Sequence, residues 1–380
     1  WQVTGVQTCA LPIYPNLKLE ERNMKKKLAI ALSLAMVMSM ALTACGGDTA
    51  SSGGASSGSQ TSSGSQAASS GDGSEAVIET VKGGKEGGTS LTFTTGGDQG
   101  TYYGFGGVVA QKVGDATSTK VTAIVSGGSQ ANIENMEAGD AQLGFVQSDV
   151  MAYAYQGIRN FEGEPITNFS TVAALYMEQV QIVTLNPDIK TVDDLAGKSV
   201  SIGAPGSGVY YNAVDVLAAY DMTEADINAT YEDFGTSAES LQDGKIDAAF
   251  VVAGAPTTAI TSLATTKDVY LVNLDDEHIA KLQEASPYYS KAVISADTYG
   301  MDADATTVAV VATVIARDDV SDVDVYNFLF GTFENAEGLA QAHSKGAELD
   351  LEFAASNTAV PYHPGAAEYF AEKGIEVPTK

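Results

Sequence analysis

Short runs of β-branched and aromatic residues alternate with amphipathic helical stretches from residue 91 onward. Such alternation is typical of α/β proteins whose sheets are largely parallel. About 290 residues is more than one hydrophobic core usually spans, so the pattern predicts two lobes. The predicted strands are 91–95, 121–125, 141–146, 172–175, 180–185, 199–203, 248–252, 269–272 and 307–316, and the clearest helices are 103–113, 131–137 and 209–220.

The two halves of this region contain a similar motif. Residues 134–146 read Glu-Asn-Met-Glu-Ala-Gly-Asp-Ala-Gln-Leu-Gly-Phe-Val, and residues 239–251 read Glu-Ser-Leu-Gln-Asp-Gly-Lys-Ile-Asp-Ala-Ala-Phe-Val. Each reads as the end of a helix, a glycine cap and a buried strand. The repeat favours two similar lobes that face each other across a cleft. Chance similarity between two helix–glycine–strand units is the alternative.

A segment with the character of a bacterial lipoprotein signal lies at residues 24–44. A methionine and three lysines precede an apolar run, and small residues precede Cys45, as in a secretory signal. We therefore expect lipidation at Cys45 and an extracytoplasmic protein that is lipid-anchored to the cell membrane. An ordinary cleaved signal is the alternative. Residues 1–23 precede this signal and are expected to be a non-native leader.

The composition after the signal predicts a tether and limits the partners. Residues 45–88 begin with a stretch rich in Ser, Gly, Gln and Ala, which predicts a flexible linker. The whole chain carries 48 acidic and 20 basic side chains, a net charge of −28. This balance argues against a nucleic-acid partner, because phosphate binding needs basic residues. It also disfavours electrostatic binding to anionic lipids.

Three predicted strands are followed by glycine-rich turns that open helices. They are residues 95–103 (Thr-Gly-Gly-Asp-Gln-Gly-Thr-Tyr-Tyr), residues 126–130 (Ser-Gly-Gly-Ser-Gln) and residues 203–208 (Gly-Ala-Pro-Gly-Ser-Gly). In open α/β sheets, ligands bind beyond the carboxyl ends of strands, where helix N-termini present free N–H groups. Hydroxyl groups within the turns add further donors, so the turns suit a small carboxylate. A single such turn is usually only a helix cap, whereas three together favour a site.

Several polar residues near these turns have two interpretations. Tyr102 or Tyr103 lines the cleft and covers an apolar part of the ligand, or one packs in the core while the other lies on the surface. Gln147 is placed to bind an amide or a carboxylate, whereas Asp149 is equally well explained as a helix N-cap. Glu178 lies where the chain crosses between the lobes. It is either a contact for a ligand ammonium or, as we favour at this point, a solvated hinge residue.

The chain contains few of the patterns that catalysis requires. It has three histidines, no Gly-x-Ser-x-Gly elbow and no His-Glu-x-x-His motif, which would mark hydrolase and metalloprotease sites. No glycine-rich turn is followed by Gly-Lys-Ser/Thr, and residues 104–109 fail the dinucleotide fingerprint at its last position, so no nucleotide motif is present. The sequence therefore predicts no catalytic residue, no cofactor and no metal site.

Taken in order, these motifs resemble those of the TAXI-type solute receptors, the substrate-binding subunits of TRAP (tripartite ATP-independent periplasmic) transporters. The resemblance covers about residues 91–374 and departs from the expected pattern at Ser295, where proline would be usual. It rests on Thr-Gly-Gly at 95–97, Ser-Gly-Gly-Ser at 126–129, Ala-Gly-Asp-Ala at 138–141, Leu-Gly-Phe-Val-Gln-Ser-Asp at 143–149, Gly-Ala-Pro-Gly-Ser-Gly at 203–208, Asp-Gly-Lys-Ile-Asp-Ala at 243–248, Phe-Val-Val-Ala-Gly at 250–254, Pro-Tyr-Tyr at 287–289 and His-Pro-Gly-Ala at 363–366.

The resemblance implies an α/β, two-lobed periplasmic-binding-protein fold (type II-like) with a hinge and a ligand cleft between the lobes. Lobe 1 would comprise residues 89–176 and 310–380, and lobe 2 residues 177–309. It implies a monomeric, non-enzymatic receptor that closes around a small carboxylate or amino acid, such as glutamate or glutamine, and delivers it to a TRAP permease in the membrane. A ligand-presenting sensory module for a membrane receptor, and an enzyme on the same fold, stay open as alternatives.

The ligand contacts transferred by these motifs lie at the three glycine-rich turns and after the strand 141–146. They are Gly97, Thr101, Tyr102, Tyr103, Gly128, Ser129, Gln147, Ser148, Gly206, Ser207 and Gly208. Glu178 is not part of this transfer and stays a candidate contact for a ligand ammonium.

Overall fold

Strands and helices alternate through residues 78–380, the part of the protein that the computed structural model describes. The leader, the signal at 24–44, Cys45 and the linker up to residue 77 lie outside the described residues. The strands are β1 (Ser90–Thr94), β2 (Lys120–Ile124), β3 (Leu143–Gln147), β4 (Phe169–Thr184), β5 (Ser199–Ser201), β6 (Asn228–Thr230), β7 (Ala248–Ala253), β8 (Tyr270–Leu271), β9 (Ser290–Ile294) and β10 (Ala305–Arg317). The α-helices are α1 (Thr101–Ala116), α2 (Ser129–Ala138), α3 (Ser148–Gln156), α4 (Val209–Ala219), α5 (Phe234–Gln242), α6 (Thr258–Ala264), α7 (Asp276–Ala285), α8 (Asp322–Phe333), α9 (Ala336–Ala342), α10 (Leu351–Ala354) and α11 (Pro364–Glu372).

Two long antiparallel strands, β4 and β10, join two groups of parallel strands. The order is β2-β1-β3-β10-β4-β7-β5-β6, with β8 added to β4 and β9 added to β10. Strand β1 is parallel to β2 and β3, and β5 is parallel to β6 and β7. Each group is therefore a small parallel sheet with its own helices, and the predicted α/β class with two lobes is confirmed.

The repeat seen in the sequence corresponds to equivalent positions in the two lobes. Helix α2 leads into β3, which lies between β1 and β10, and helix α5 leads into β7, which lies between β5 and β4. Gly139 ends α2 in the left-handed conformation, with φ of 87°, a backbone conformation that glycine adopts without a steric cost. The two lobes thus share one local construction.

Strand β4 differs from the prediction, which divided it into 172–175 and 180–185. Polar residues between these runs suggested a break, yet β4 is continuous, with β10 paired on one edge and β7 on the other. Pairing with β10 runs to Gln179, where pairing with β7 begins, so the backbone stays hydrogen-bonded and extended through this polar stretch. Strands β6 and β9 were not predicted.

Separate hydrophobic cores lie under the two parallel groups. One is built around Phe93, Phe105 and Phe328, and the other around Val200, Leu217 and Phe250. The lobe bounds given above stay a prediction. Within residues 78–380, no helix has the length and apolar character needed to cross a bilayer.

The segment 78–88, predicted as the end of the linker, packs against lobe 1 instead. The N–H of Val81 donates to Asn335 Oδ1 at 2.7 Å, and the N–H of Lys85 donates to Asn327 Oδ1 at 2.6 Å. These side chains satisfy backbone groups that an unstructured linker would leave to water. The prediction of a linker up to residue 88 is therefore wrong for residues 78–88.

Candidate ligand-binding site

A cavity of about 580 Å³, partly open to solvent, lies where the carboxyl ends of the parallel strands of both lobes meet. Both lobes contribute to its wall, and all three predicted glycine-rich turns reach it. The lining residues are Gly96, Gly97, Gly100, Thr101, Tyr102, Ser126, Gly127, Gly128, Ser129, Gln147, Glu178, Ala204, Ser207, Gly208, Val209, Asp233, Phe234, Val252 and Ala253.

Three helices point their N-termini at this cavity from glycine caps. Helix α1 begins after Gly100, α2 after Gly128 and α4 after Gly208. Because each cap is a glycine, no cap side chain accepts a hydrogen bond from the first N–H groups of these helices. The first N–H groups of an α-helix have no partner within the helix, and the helix dipole favours negative charge there. The arrangement therefore offers backbone donors to an anionic ligand group.

Two buried side-chain atoms in the cavity wall have no hydrogen-bond partner in the described part of the chain. They are Gln147 Oε1 and Ser207 Oγ. A second hydroxyl of the wall, Ser129 Oγ, accepts from the N–H of Gln147 at 3.1 Å. Buried polar atoms are rarely left unpaired, so these groups indicate that the cavity receives a polar ligand.

Asn132 holds the first two turns in place from below. Its side chain is fully buried and donates to the carbonyl oxygens of Thr95 and Phe145, both at 2.6 Å, while Thr94 Oγ1 donates to its Oδ1 at 2.7 Å. One residue of α2 thereby joins the ends of β1 and β3. This fixes the start of the turn 95–103 against β3 and against α2, the helix that follows the turn 126–129.

Glu178 lies in the middle of β4 and is only 2% exposed. The hydroxyl of Tyr102 donates to its Oε2 at 2.8 Å. Burial raises the pKa of Glu178 to about 8, the charge of Asp149 adds to this effect, and the Tyr102 hydrogen bond and Lys345 oppose it. The interpretation of Glu178 as a solvated hinge residue is therefore wrong, since its side chain is buried in the wall of the cavity.

Only one of the two adjacent tyrosines lines the cavity. Tyr102 is 9% exposed and stacks on Phe145 with ring centroids 4.6 Å apart, whereas Tyr103 is 37% exposed and does not reach the cavity. Tyr102 shares one helix face with the buried residues Phe105 and Val109, and this i, i+3, i+7 spacing was readable in the sequence. The inclusion of Tyr103 among the ligand contacts is not supported by its position.

Ser148 and Gly206 also lie away from the cavity wall. Ser148 Oγ accepts from the N–H of Val311 at 3.2 Å, so it stabilises the contact between α3 and β10. The carbonyl of Gly206 accepts from the N–H of Ala131 at 2.9 Å. The remaining predicted contacts, including Gly97 and Thr101, all line the cavity.

Asp149 is not a helix N-cap. It is the second residue of α3 and fully buried, and its Oδ2 accepts from Asn212 Nδ2 at 2.9 Å. Burial raises its pKa to about 7, and the charge of Asp215 acts in the same direction. Asp149 therefore belongs to a polar cluster between the lobes, behind the cavity.

A fourth turn at the cavity contains Asp233 and Phe234 and was not predicted from the sequence. Asp233 caps α5 by accepting from the N–H of Thr236 at 2.9 Å, and Phe234 contributes apolar surface to the cavity. The internal repeat could have located it: the two copies start at residues 134 and 239. Applied to residues 126–129, the same spacing leads to residues 231–234.

None of the described residues that line the cavity is Lys, Arg or His, while Glu178 and Asp233 are acidic. A carboxylate in this cavity would therefore be held by helix N-termini and hydroxyl groups rather than by a cationic side chain. The acidic wall suits a positively charged or hydrogen-donating group on the same ligand. Across residues 78–380, no group of three or more His, Cys, Asp or Glu side chains is arranged to hold a metal ion.

The two lobes touch each other around the cavity. Thr101 Oγ1 donates to the carbonyl of Gly254 at 2.8 Å, and the hydroxyl of Tyr211 donates to Gln130 Oε1 at 2.8 Å. A Cβ atom added at Gly208 would lie 1.6 Å from Gln147 Oε1, so this glycine is what allows the two walls to meet. The structure is thus the closed arrangement of the cleft.

Residues 93–374, most of the described range, match the NMT1-like family. The chain belongs to the NMT1-like family. The matched residues run from β1 to the end of α11 and include every residue that lines the cavity. The predicted two-lobed α/β architecture with a cavity between the lobes agrees with the strand order and with the cavity lining.

Solved structures with similar chain traces include several binding proteins. The periplasmic aliphatic sulphonate binding protein SsuA from Escherichia coli is 15% identical, with 76% of this chain and 91% of that chain covered and a TM-score of 0.40. An ancestral arginine-binding protein bound to arginine is 15% identical, with 67% and 97% covered and a TM-score of 0.42. The GluR0 ligand-binding core from Nostoc punctiforme, in complex with L-glutamate, is 16% identical, with 66% and 97% covered and a TM-score of 0.38.

Proposed function

We propose that this NMT1-like protein is an extracytoplasmic solute receptor of the TAXI type that captures a small amino acid or related carboxylate by closure of its two lobes. It would deliver this ligand to a TRAP permease and would not transform it. Lipidation at Cys45 would hold the receptor at the cell membrane. The ordered run of motifs from residue 95 to residue 366 supports the TAXI assignment.

The observation that carries this proposal is the chemical asymmetry of the cavity. On one side are glycine-capped helix N-termini with the hydroxyl groups of Ser129 and Ser207, which are donors to a carboxylate. On another side is the buried carboxyl group of Glu178. An α-amino acid carries a carboxylate and an ammonium one carbon apart, and so matches both.

Apolar wall residues provide space for the rest of such a ligand. Val209, Phe234, Val252 and Ala253 line the cavity beside the polar groups. The methylene groups of a short side chain, as in glutamate or glutamine, would contact these residues and lose their water. This supports a small amino acid over a larger solute.

Closure would follow from contacts that both lobes make to one ligand. Ser129 and Tyr102 belong to the lobe that contains β1, while Ser207 and Gly208 belong to the lobe that contains β5. A ligand that touches both binds the closed state more tightly than the open state and therefore shifts the population towards closure.

Isothermal titration calorimetry with L-glutamate, L-glutamine and 2-oxoglutarate tests this proposal on the wild-type protein and on Ser129→Ala and Ser207→Ala. Removing either hydroxyl should weaken binding about tenfold, because each donates to a charged group. Ser262→Ala, at an exposed position of α6, is the control and should bind like the wild type. Equal affinity in all four proteins would reject the site, and failure of every probe to bind would reject the ligand class.

A further inference from the structure

The side chain of Gln147 connects the cavity to a polar cluster between the lobes. Its Nε2 donates to Asn212 Oδ1 at 2.9 Å. Its Oε1 is buried, accepts no hydrogen bond within the described residues and lies beside Gly208 in the cavity wall. The amide is therefore held with its donor turned away from the cavity and its acceptor unused.

The orientation of Asn212 determines the orientation of the Gln147 amide. Asn212 Nδ2 donates to Asp149 Oδ2 at 2.9 Å and to the hydroxyl oxygen of Tyr289 at 2.9 Å. The hydroxyl of Tyr289 has one hydrogen, which it donates to Asp215 Oδ2 at 2.9 Å. Both acceptors thus require the NH₂ group of Asn212, so only its oxygen remains for Gln147.

This arrangement holds when Asp149 is charged and when it carries a proton on Oδ1. Asp149 Oδ2 accepts from Asn212, while Asp149 Oδ1 has no partner in the part of the chain that the structure describes. A proton on Oδ1 would leave the accepting oxygen unchanged. Reversal of the Asn212 amide would place its oxygen against two acceptor atoms, which is unfavourable in a buried site.

We infer that Asn212, which does not line the cavity, is a positioning residue that holds Gln147 with its oxygen towards the ligand, and that the ligand group at this place is an N–H donor. The inference rests on the proposed function and deepens it. Gln147 and Glu178 then supply two acceptors in the same cavity as the donors of the glycine-capped helices. A ligand with an amino or amide group fits this set better than one with an oxo group in the same place.

The test compares two pairs of probes on the full-length protein. L-glutamate and 2-oxoglutarate differ only in an amino or oxo group at carbon 2, and L-glutamine and L-glutamate differ at the far end. Dissociation constants are measured for the wild type, Gln147→Met, Asn212→Leu and the double variant. One of the two pairs differs in the group that faces Gln147. For that pair, Asn212→Leu should lower the preference for the probe that carries the N–H group, relative to the probe that lacks it, about tenfold.

The double variant separates positioning from general destabilisation. In the Gln147→Met background, Asn212→Leu should leave the preference in both pairs unchanged, because the amide that it positions is absent. A merely structural role would weaken all probes together and leave both preferences intact in Asn212→Leu itself, and that result would overturn the inference. An equal change of preference in both backgrounds would overturn it as well.

Two further results have a defined meaning: failure of the wild type to bind any probe, and failure of Asn212→Leu to fold. If the wild type binds none of the probes, the proposed function is rejected and this inference with it, whereas unchanged preferences on a binding wild type reject the inference alone. If melting curves show that Asn212→Leu does not fold, Asn212→Ala, which leaves room for water, takes its place with the same expected loss of preference.

Discussion

Ligand binding should release a proton from Glu178, and this release can be measured. In the unliganded protein, burial raises the pKa of Glu178 to about 8. At pH 7 the carboxyl group is then about 90% protonated. A ligand ammonium that contacts it favours the charged form and lowers this pKa by several units. Binding of an amino acid should therefore release about 0.9 protons per site at pH 7 and about half a proton at pH 8.

The same linkage predicts how affinity depends on pH. Because the proton must leave, the association constant for an amino acid should rise nearly tenfold between pH 6 and pH 7 and level off above about pH 8. Glu178→Gln has nearly the same shape and still accepts from Tyr102, but carries no ionisable group. It should bind the amino acid about 10- to 100-fold more weakly, since a hydrogen bond to a charged group is lost.

Titration calorimetry in buffers of different ionisation enthalpy gives the number of protons released. The observed binding enthalpy should change with buffer enthalpy with a slope near 0.9 protons for the wild type at pH 7, and the Glu178→Gln protein should lack this contribution. 2-Oxoglutarate is the ligand control, because it brings no ammonium to Glu178. Equal slopes for the wild type and Glu178→Gln with an amino acid would show that Glu178 does not release the proton.

Stability without ligand gives a second readout of the same group. Since the folded-state pKa of Glu178 lies above its ordinary value of 4.5, the folded protein holds this proton more tightly than the unfolded chain. Its contribution to stability is present in acid and is lost as the pH rises from about 4.5 to about 8. Between pH 5 and pH 7, the wild type should lose on the order of 2 kcal/mol more than Glu178→Gln in urea unfolding. A constant difference between the two proteins over this range would contradict the raised pKa.

Three other substitutions test the geometry of the closed cleft. Gly208→Ala places a methyl group against Gln147 Oε1 and should abolish closure and ligand binding in calorimetry; tight binding would contradict it. Asn132→Leu leaves two buried strand-end carbonyls unpaired and should lower the free energy of unfolding by about 3 kcal/mol in urea titrations, and a loss below 1 kcal/mol would count against this role. Tyr102→Phe removes the hydrogen bond that lowers the pKa of Glu178, so calorimetry should show the midpoint of proton release at a higher pH; an unmoved midpoint would contradict the pairing.

The glycine-rich turns were predictable because their signal is local. A glycine followed by Ser or Thr at the start of a helix is determined by backbone conformation and by helix capping, both of which act over a few residues. Thr101, Ser129 and Ser207 accordingly lie in the cavity wall as the pattern indicated. Helix periodicity could also have predicted that Tyr102 is buried and that Tyr103 is exposed.

The buried acidic residues were not predictable in the same way. Glu178 stands in a polar stretch that looks solvated in the sequence, and it is buried only because two neighbouring strands and α1 cover it. Asn212 lies in α4 and acts on Gln147, which is 65 residues away along the chain. Such contacts depend on how the lobes meet, and no local pattern specifies them.

A ligand site for an amino acid in the closed cleft is tested most directly by thermal-shift measurements on the wild type and Gly208→Ala with the common amino acids and their 2-oxo counterparts. We expect that one or a few small amino acids stabilise the wild type, that their 2-oxo counterparts do so less, and that Gly208→Ala responds to none. Stabilisation of both proteins to the same extent, or of the wild type by no amino acid, would contradict a ligand site in the closed cleft.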